Sequence, residues 1–112
     1  GVSRYLGPLA DAIDVIAGRY PTIGRPLVFG FSGGAVMAYA LAASYPRRYS
    51  LVVPVSGRLA GVAGDVPAEA SGALARVVAF HGTRDTVIGI GSGRAACERL
   101  RALGLSVEFR ER

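Results

Sequence analysis

Apolar and polar positions along the chain fall into short blocks whose period changes from one to the next. Between Ser3 and Tyr20, Leu6, Leu9, Ile13 and Ile16 share one helical face while Asp11, Asp14 and Arg19 fall elsewhere. This predicts an amphipathic helix with Ser3 as its N-cap, the Gly7-Pro8 step delaying its start or marking its first turn. Pro21 to Pro26 is rich in breakers and predicts a connection. Leu27–Phe31 is an apolar run without alternation, the pattern of a strand covered on both faces. After Ser32-Gly33-Gly34 comes Ala35–Tyr45, apolar almost all round, which predicts a buried helix stopped by Pro46. Leu51–Val55 predicts a second buried strand, which Pro54 is expected to end or bulge because it lacks a ladder N–H. Gly57 to Gly72 reads as a Gly/Ala-rich loop with one helical turn near Ala68. Arg76–Phe80 predicts a third strand, and His81 to Gly93 a polar, Gly-rich turn region. Arg94–Leu103 predicts a helix with Ala96, Leu100 and Leu103 inward and Arg94, Glu98 and Arg101 outward, closed by Gly104. Ser106–Arg110 alternates and predicts a fourth strand nearer an edge.

Strands separated by helical crossovers build a parallel sheet with right-handed connections. The expected class is therefore α/β: about four parallel strands with flanking helices, in one small domain of 112 residues without internal repeats. An apolar fraction of 51% excludes a disordered chain. No apolar run approaches the ~20 residues of a membrane span. One cysteine, Cys97, excludes an internal disulfide and is expected to be a small core residue. A lone His81 excludes a Cys/His zinc cluster, and no metal-ligand spacing, phosphate loop or dinucleotide fingerprint is present. The formal charge of +5 comes entirely from arginine on the basic side. A polyanion partner would explain it, but so would a compositional bias that replaces Lys and Asn with Arg and Ala. The arginines are scattered from Arg4 to Arg112 and do not interleave with aromatics, so no nucleic-acid partner is expected. The chain begins Gly-Val-Ser without the charged and apolar regions of a signal peptide, which favours a cytoplasmic location, and both of its ends read as cut.

Candidate chemistry begins at Gly30-Phe31-Ser32-Gly33-Gly34, a G-x-S-x-G pattern between a predicted strand and a predicted helix. A tight strand-to-helix turn projects a serine hydroxyl from the sheet edge, where a base can reach it, at the cost of backbone strain. Gly30 and Gly34 let the flanking segments approach. The N–H of Gly33, backed by the helix N-terminus, points at the oxygen of a bound acyl group. Asp85 follows the third strand, and residues beyond the carboxyl ends of neighbouring parallel strands share one crevice, so Ser32 and Asp85 can border one site. Such an aspartate orients an imidazole and stabilises it when protonated. His81 lies on the same loop as Asp85 and reads as structural, holding the turn through backbone hydrogen bonds. A catalytic imidazole is expected after the fourth strand, where the chain stops.

Three blocks, Gly-Phe-Ser-Gly-Gly-Ala-Val-Met at 30–37, Val-Ser-Gly-Arg-Leu at 55–59 and His-Gly-Thr-Arg-Asp-Thr-Val-Ile at 81–88, resemble the α/β-hydrolase superfamily. The branch they most resemble is the phospholipase/carboxylesterase family of serine esterases, related to dienelactone hydrolases, and the likeness runs from about Leu6 to Arg112. The resemblance implies Ser32 as nucleophile, Gly33 as one oxyanion donor, Asp85 as acid, and His81 on the family's structural His-Gly. It implies the C-terminal half of the family's eight-stranded sheet, without the early strands, the loop giving the second oxyanion donor and the segment carrying the catalytic His. Gly33 stands where the family often has Gln, and Gly89 where it often has Pro. The implied function is hydrolysis of a small-molecule ester without a cofactor. A peptidase or thioesterase of the same superfamily and a non-catalytic binding module of the same fold are the alternatives. Lacking a neighbour, the Leu27–Phe31 strand would leave an apolar open edge through which copies self-associate.

Overall fold

A computed structural model describes residue 15 and residues 24–59 and 73–112. Of the segment expected to form the first helix only Val15 falls within them, in helical conformation, and the helical turn near Ala68 lies outside them. The described elements follow in the order β1 (Leu27–Phe31), α1 (Gly33–Ser44), β2 (Leu51–Val55), β3 (Arg76–His81), α2 (Ile90–Ala102) and β4 (Ser106–Glu111). All strand pairs are parallel and the spatial order is β1-β2-β3-β4, so β4 stands at an edge, in keeping with its alternation.

The core forms on one face of this sheet. α1 and α2 lie side by side there, the Tyr39 hydroxyl 3.8 Å from Cys97 Sγ. Ala38, Tyr39 and Leu41 of α1 pack with Val52, Val77 and Ala79 of the sheet and with Ala96, Cys97 and Leu100 of α2. Burial pushes the Tyr39 phenol and the Cys97 thiol above their ordinary ranges, which keeps this contact neutral.

Five expectations need correction, the last of them at the end of α2. A run without alternation predicts β1 covered on both faces, but Leu27, Phe29 and Phe31 are 59%, 66% and 66% exposed. They alternate with Val28 and Gly30, which face α1, and the two described helices cover one face only. Pro54 neither ends nor bulges β2. Val52 pairs with Val77 and Val55 with Phe80 without a slip, and the strand absorbs one missing ladder donor. α1 begins at Gly33 rather than at Ala35, because the turn at Ser32 leads straight into the helix. α2 begins at Ile90 rather than Arg94, because Gly91 and Gly93 are helical glycines and not turn residues.

The C-terminus of α2 shows why Leu103 faces outward instead of inward. Gly104, at φ 94, donates its N–H to the Arg101 carbonyl at 2.9 Å, and Leu105 donates to the Leu100 carbonyl at 3.2 Å. This paired closure needs the left-handed conformation that glycine adopts without penalty, and it brings the following apolar residue back onto the helix. Leu105 is accordingly 4% exposed and Leu103 46%.

Candidate active site

Because the four strands run parallel, their carboxyl ends form one edge, and the residues singled out for chemistry lie along it. Ser32 directly follows β1 and caps α1. Its backbone has φ 54 and ψ −112, a region that a non-glycine residue enters at a cost of about 1–3 kcal/mol. The Ser32 N–H continues the ladder to the Val55 carbonyl at 2.9 Å, and its own carbonyl receives the Ala35 and Val36 N–H groups at 3.0 and 3.2 Å. The backbone is thus fixed on both sides while the half-buried hydroxyl makes no capping bond. Gly33 is the first residue of α1, so its N–H has no acceptor within the helix and stands at the positive end of the dipole.

Only one of the two elbow glycines is required by its own space. A Cβ on Gly30 would lie 2.2 Å from the Gly34 carbonyl oxygen and 2.9 Å from the Ala35 nitrogen, whereas one on Gly34 would meet nothing within 4 Å. The close approach is between the side of Gly30 and the backbone of Gly34. Gly30→Ala is therefore expected to cost about 3 kcal/mol or more in a denaturant titration. Gly34→Ala, in the first turn of a helix, is expected to be neutral or to stabilise by up to about 1 kcal/mol.

Asp85 lies in the turn after β3, where two amides hold one of its oxygens. The Val87 and Ile88 N–H groups each donate to Oδ1 at 3.0 Å. The carboxyl is held below its usual range, first by the Ile88 amide and then, against a partial desolvation, by the Val87 amide. Oδ2 is not used by the turn amides. The turn is itself clamped: the Thr83 N–H donates to the Arg112 carbonyl at 2.9 Å, and the Arg112 N–H to the His81 carbonyl at 3.0 Å.

His81 ends β3 on the helix-covered face and is 1% exposed. Its Nε2 stands 2.7 Å from the Ile88 carbonyl oxygen, which can only accept, so the proton resides on Nε2. The remaining lone pair, on Nδ1, is buried without a hydrogen-bond partner. It faces Gly93, where a Cβ would come within 2.5 Å of it and within 3.1 Å of the Phe109 ring. Nε2 is 3.8 Å from Asp85 Oδ2, too long for a hydrogen bond. In this arrangement His81 closes the loop from 81 to 88 and offers no base at the sheet edge. It also explains the helical Gly93, whose missing side chain is the slot for the imidazole.

Ser56 is a residue that the motif reading passes over. It follows β2 as Ser32 follows β1, with φ 57, and its N–H donates to the Phe80 carbonyl at 2.9 Å. The signal is nonetheless present: Phe31-Ser32-Gly33 and Val55-Ser56-Gly57 both end a strand with an apolar residue, serine and glycine. Among the described residues no group of three His, Cys, Asp or Glu could hold a metal ion. No helix among them is long and apolar enough to cross a membrane.

The profile of the Phospholipase/Carboxylesterase family matches residues 8–111, nearly the whole chain. The chain belongs to the phospholipase/carboxylesterase family. Solved structures agree on the fold. Esterase PE8 superposes with a TM-score of 0.80 at 23% identity, over 100% of this chain and 52% of its own. Arabidopsis thaliana SOBER1 gives 0.81 at 22% identity, over 98% of this chain and 53% of its own. Zea mays acyl-protein thioesterase 2 gives 0.75 at 23% identity, over 98% and 56%. No curated protein matches in sequence. The chain thus spans about half the length of the structures it resembles. Within this α/β-hydrolase fold the four described strands form one contiguous part of the sheet.

Proposed function

We propose that this chain carries the nucleophile, one oxyanion donor and the acid of a serine hydrolase that cleaves carboxylic esters through an acyl-enzyme. The observation that carries the reading is the Ser32 backbone, held at φ 54 and ψ −112 between β1 and α1, where strain is spent to present an uncapped hydroxyl at the sheet edge. In this reading Ser32 Oγ attacks the acyl carbonyl as its proton passes to an imidazole. The oxyanion that forms faces the Gly33 N–H and the positive end of α1. The tetrahedral intermediate collapses, the alcohol leaves with the proton returned by the imidazolium, and water deacylates the serine through the same base. Asp85 orients that imidazole through the carboxylate oxygen that its turn amides leave unused. Because His81 is the sole histidine of the sequence and its Nε2 is committed to the Ile88 carbonyl, the imidazole comes from outside these 112 residues. No cofactor enters the reaction.

An alkyl fluorophosphonate is expected to form a single adduct on the product of the complete reading frame, mapped to Ser32 by peptide mass spectrometry. Residues 1–112 alone are expected to release no p-nitrophenol from p-nitrophenyl acetate in a Ser32-dependent manner. An adduct-free product of the complete frame would leave the binding-module reading in its place. Acyl specificity is set by groups beyond the elbow, so oxygen esters, thioesters and amides of one acyl chain, compared by kcat/KM, separate esterase, thioesterase and peptidase.

A further inference from the structure

The first turn of α1 is seated on two glycines from neighbouring strands. One is Gly30 of β1, whose missing side chain leaves room for the Gly34 carbonyl. The other is Gly57, two residues beyond β2 and outside the G-x-S-x-G pattern. A Cβ on Gly57 would lie 2.6 Å from Ala35 Cβ, 2.9 Å from the Ala35 carbonyl carbon and 3.1 Å from the Tyr39 ring. Ala35 and Tyr39 are each 0% exposed, so neither has room to withdraw. The elbow pattern accounts for Gly30 but not for this second close approach.

The chain reaches this contact through the bend after β2. Ser56 turns at φ 57 while its N–H stays bonded to the Phe80 carbonyl at 2.9 Å. Gly57 is thereby tied to the sheet on one side and pressed against α1 on the other. What this contact fixes follows from how Ser32 and Gly33 are held. Ser32 is anchored to the sheet, its N–H on the Val55 carbonyl at 2.9 Å. Gly33 opens the helix, so the direction of its N–H follows the first turn of α1. Hydroxyl and donor thus belong to adjacent residues with different supports, and the seat of Ala35 relates one support to the other.

We propose that Gly57 is a positioning residue: by letting the first turn of α1 seat against the end of β2, it sets the direction of the Gly33 N–H relative to the Ser32 hydroxyl. This rests on the reading of Ser32 as nucleophile and Gly33 as oxyanion donor. A methyl group at 57 has to open the Ala35 contact from 2.6 Å toward the ~3.5 Å of ordinary carbon contact, a displacement of about 1 Å. A misplacement of that size at a catalytic group costs on the order of 10²-fold in rate.

In the product of the complete reading frame, Gly57→Ala is expected to lower kcat on p-nitrophenyl acetate by about 30-fold or more while KM stays within about threefold. The split arises because the donor acts on the oxyanion and not on the bound ester. Gly57→Ala also lowers Tm, so a control separates position from stability. Leu105 is 4% exposed and immediately precedes β4, at the opposite edge of the sheet. Leu105→Ala is expected to lower Tm as well, yet to keep kcat within about twofold when all variants are assayed well below their melts. Ala35→Gly opens the same contact without a clash and serves where Gly57→Ala does not fold. It is expected to lose about threefold to tenfold in kcat at unchanged KM. A kcat within about twofold of the parent in Gly57→Ala or Ala35→Gly would overturn the proposal. So would a kcat loss in Leu105→Ala equal to that in Gly57→Ala. These results leave the serine-hydrolase reading intact if Ser32→Ala is inactive. Turnover that survives Ser32→Ala instead removes the reading beneath it.

Discussion

Ser32→Ala is expected to lower kcat/KM on a p-nitrophenyl ester by roughly 10^4- to 10^6-fold, with the fold unchanged. The hydroxyl makes no capping bond, so its loss removes no structural hydrogen bond from α1. Ser32→Gly is expected to be equally inactive but more stable than the parent. At φ 54 and ψ −112 a Cβ is unfavourable, and glycine releases about 1 kcal/mol or more, which is a rise of a few degrees in Tm for a domain of this size. The opposite signs are the informative part. A serine that merely opened a helix would show no gain on becoming glycine, because its backbone would carry no strain. A serine presented for chemistry shows lost turnover and gained stability in one variant. Thermal melts and steady-state kinetics on Ser32→Ala and Ser32→Gly, in the product of the complete reading frame, check both arms. Residual turnover above a hundredth of the parent, dependent on the added protein, would remove Ser32 from the mechanism.

The edge along which Ser32 and Asp85 both lie was legible because two simple signals coincide. The unalternating runs at 27–31 and 51–55 and the separated segments at 76–80 and 106–110 implied parallel strands, and parallel strands share a carboxyl edge. What the sequence hid followed from tertiary packing. Gly91 and Gly93 read as turn residues, yet α2 runs through both, because Gly93 is where the His81 ring fits. Local propensity cannot report a slot made for a side chain twelve residues earlier. The exposed face of β1 was likewise invisible, since an apolar strand reads the same whether one or both of its faces are covered by the described elements. Pro54 misled in the other direction: one missing donor is a small penalty in a strand fixed by its neighbours on both sides. Ser56 was missed because a single G-x-S-x-G pattern drew attention to one serine, while the shorter apolar-Ser-Gly step occurs at both strand ends.

Asp85→Asn is expected to reduce kcat by roughly 10^3- to 10^4-fold while leaving the loop in place. The amide keeps a carbonyl oxygen, which can still accept from the Val87 and Ile88 N–H groups now bonded to Oδ1 at 3.0 Å. What it loses is charge: it no longer compensates an imidazolium, and an Nδ2 donor in place of Oδ2 would favour the wrong tautomer of the base. Asp85→Ala removes the acceptor as well, so it is expected to lower stability besides activity, and comparison of the two variants separates charge from turn. The pH dependence carries the same distinction. In the folded protein the carboxyl is held below its usual range, the Ile88 amide being the largest cause. A group depressed in this way binds protons more readily in the unfolded chain. Its contribution to stability is therefore present above the unfolded carboxyl value, near pH 4, and is lost as pH falls through the lower folded value. The parent is thus expected to lose stability in part through Asp85 as the pH falls below the ordinary carboxyl range, near pH 4. In Asp85→Asn that share disappears and the stability profile is flatter on the acid side. Denaturant midpoints measured across this range would show it, and parallel profiles for parent and variant would mean that the turn amides do not hold the carboxylate in the folded chain.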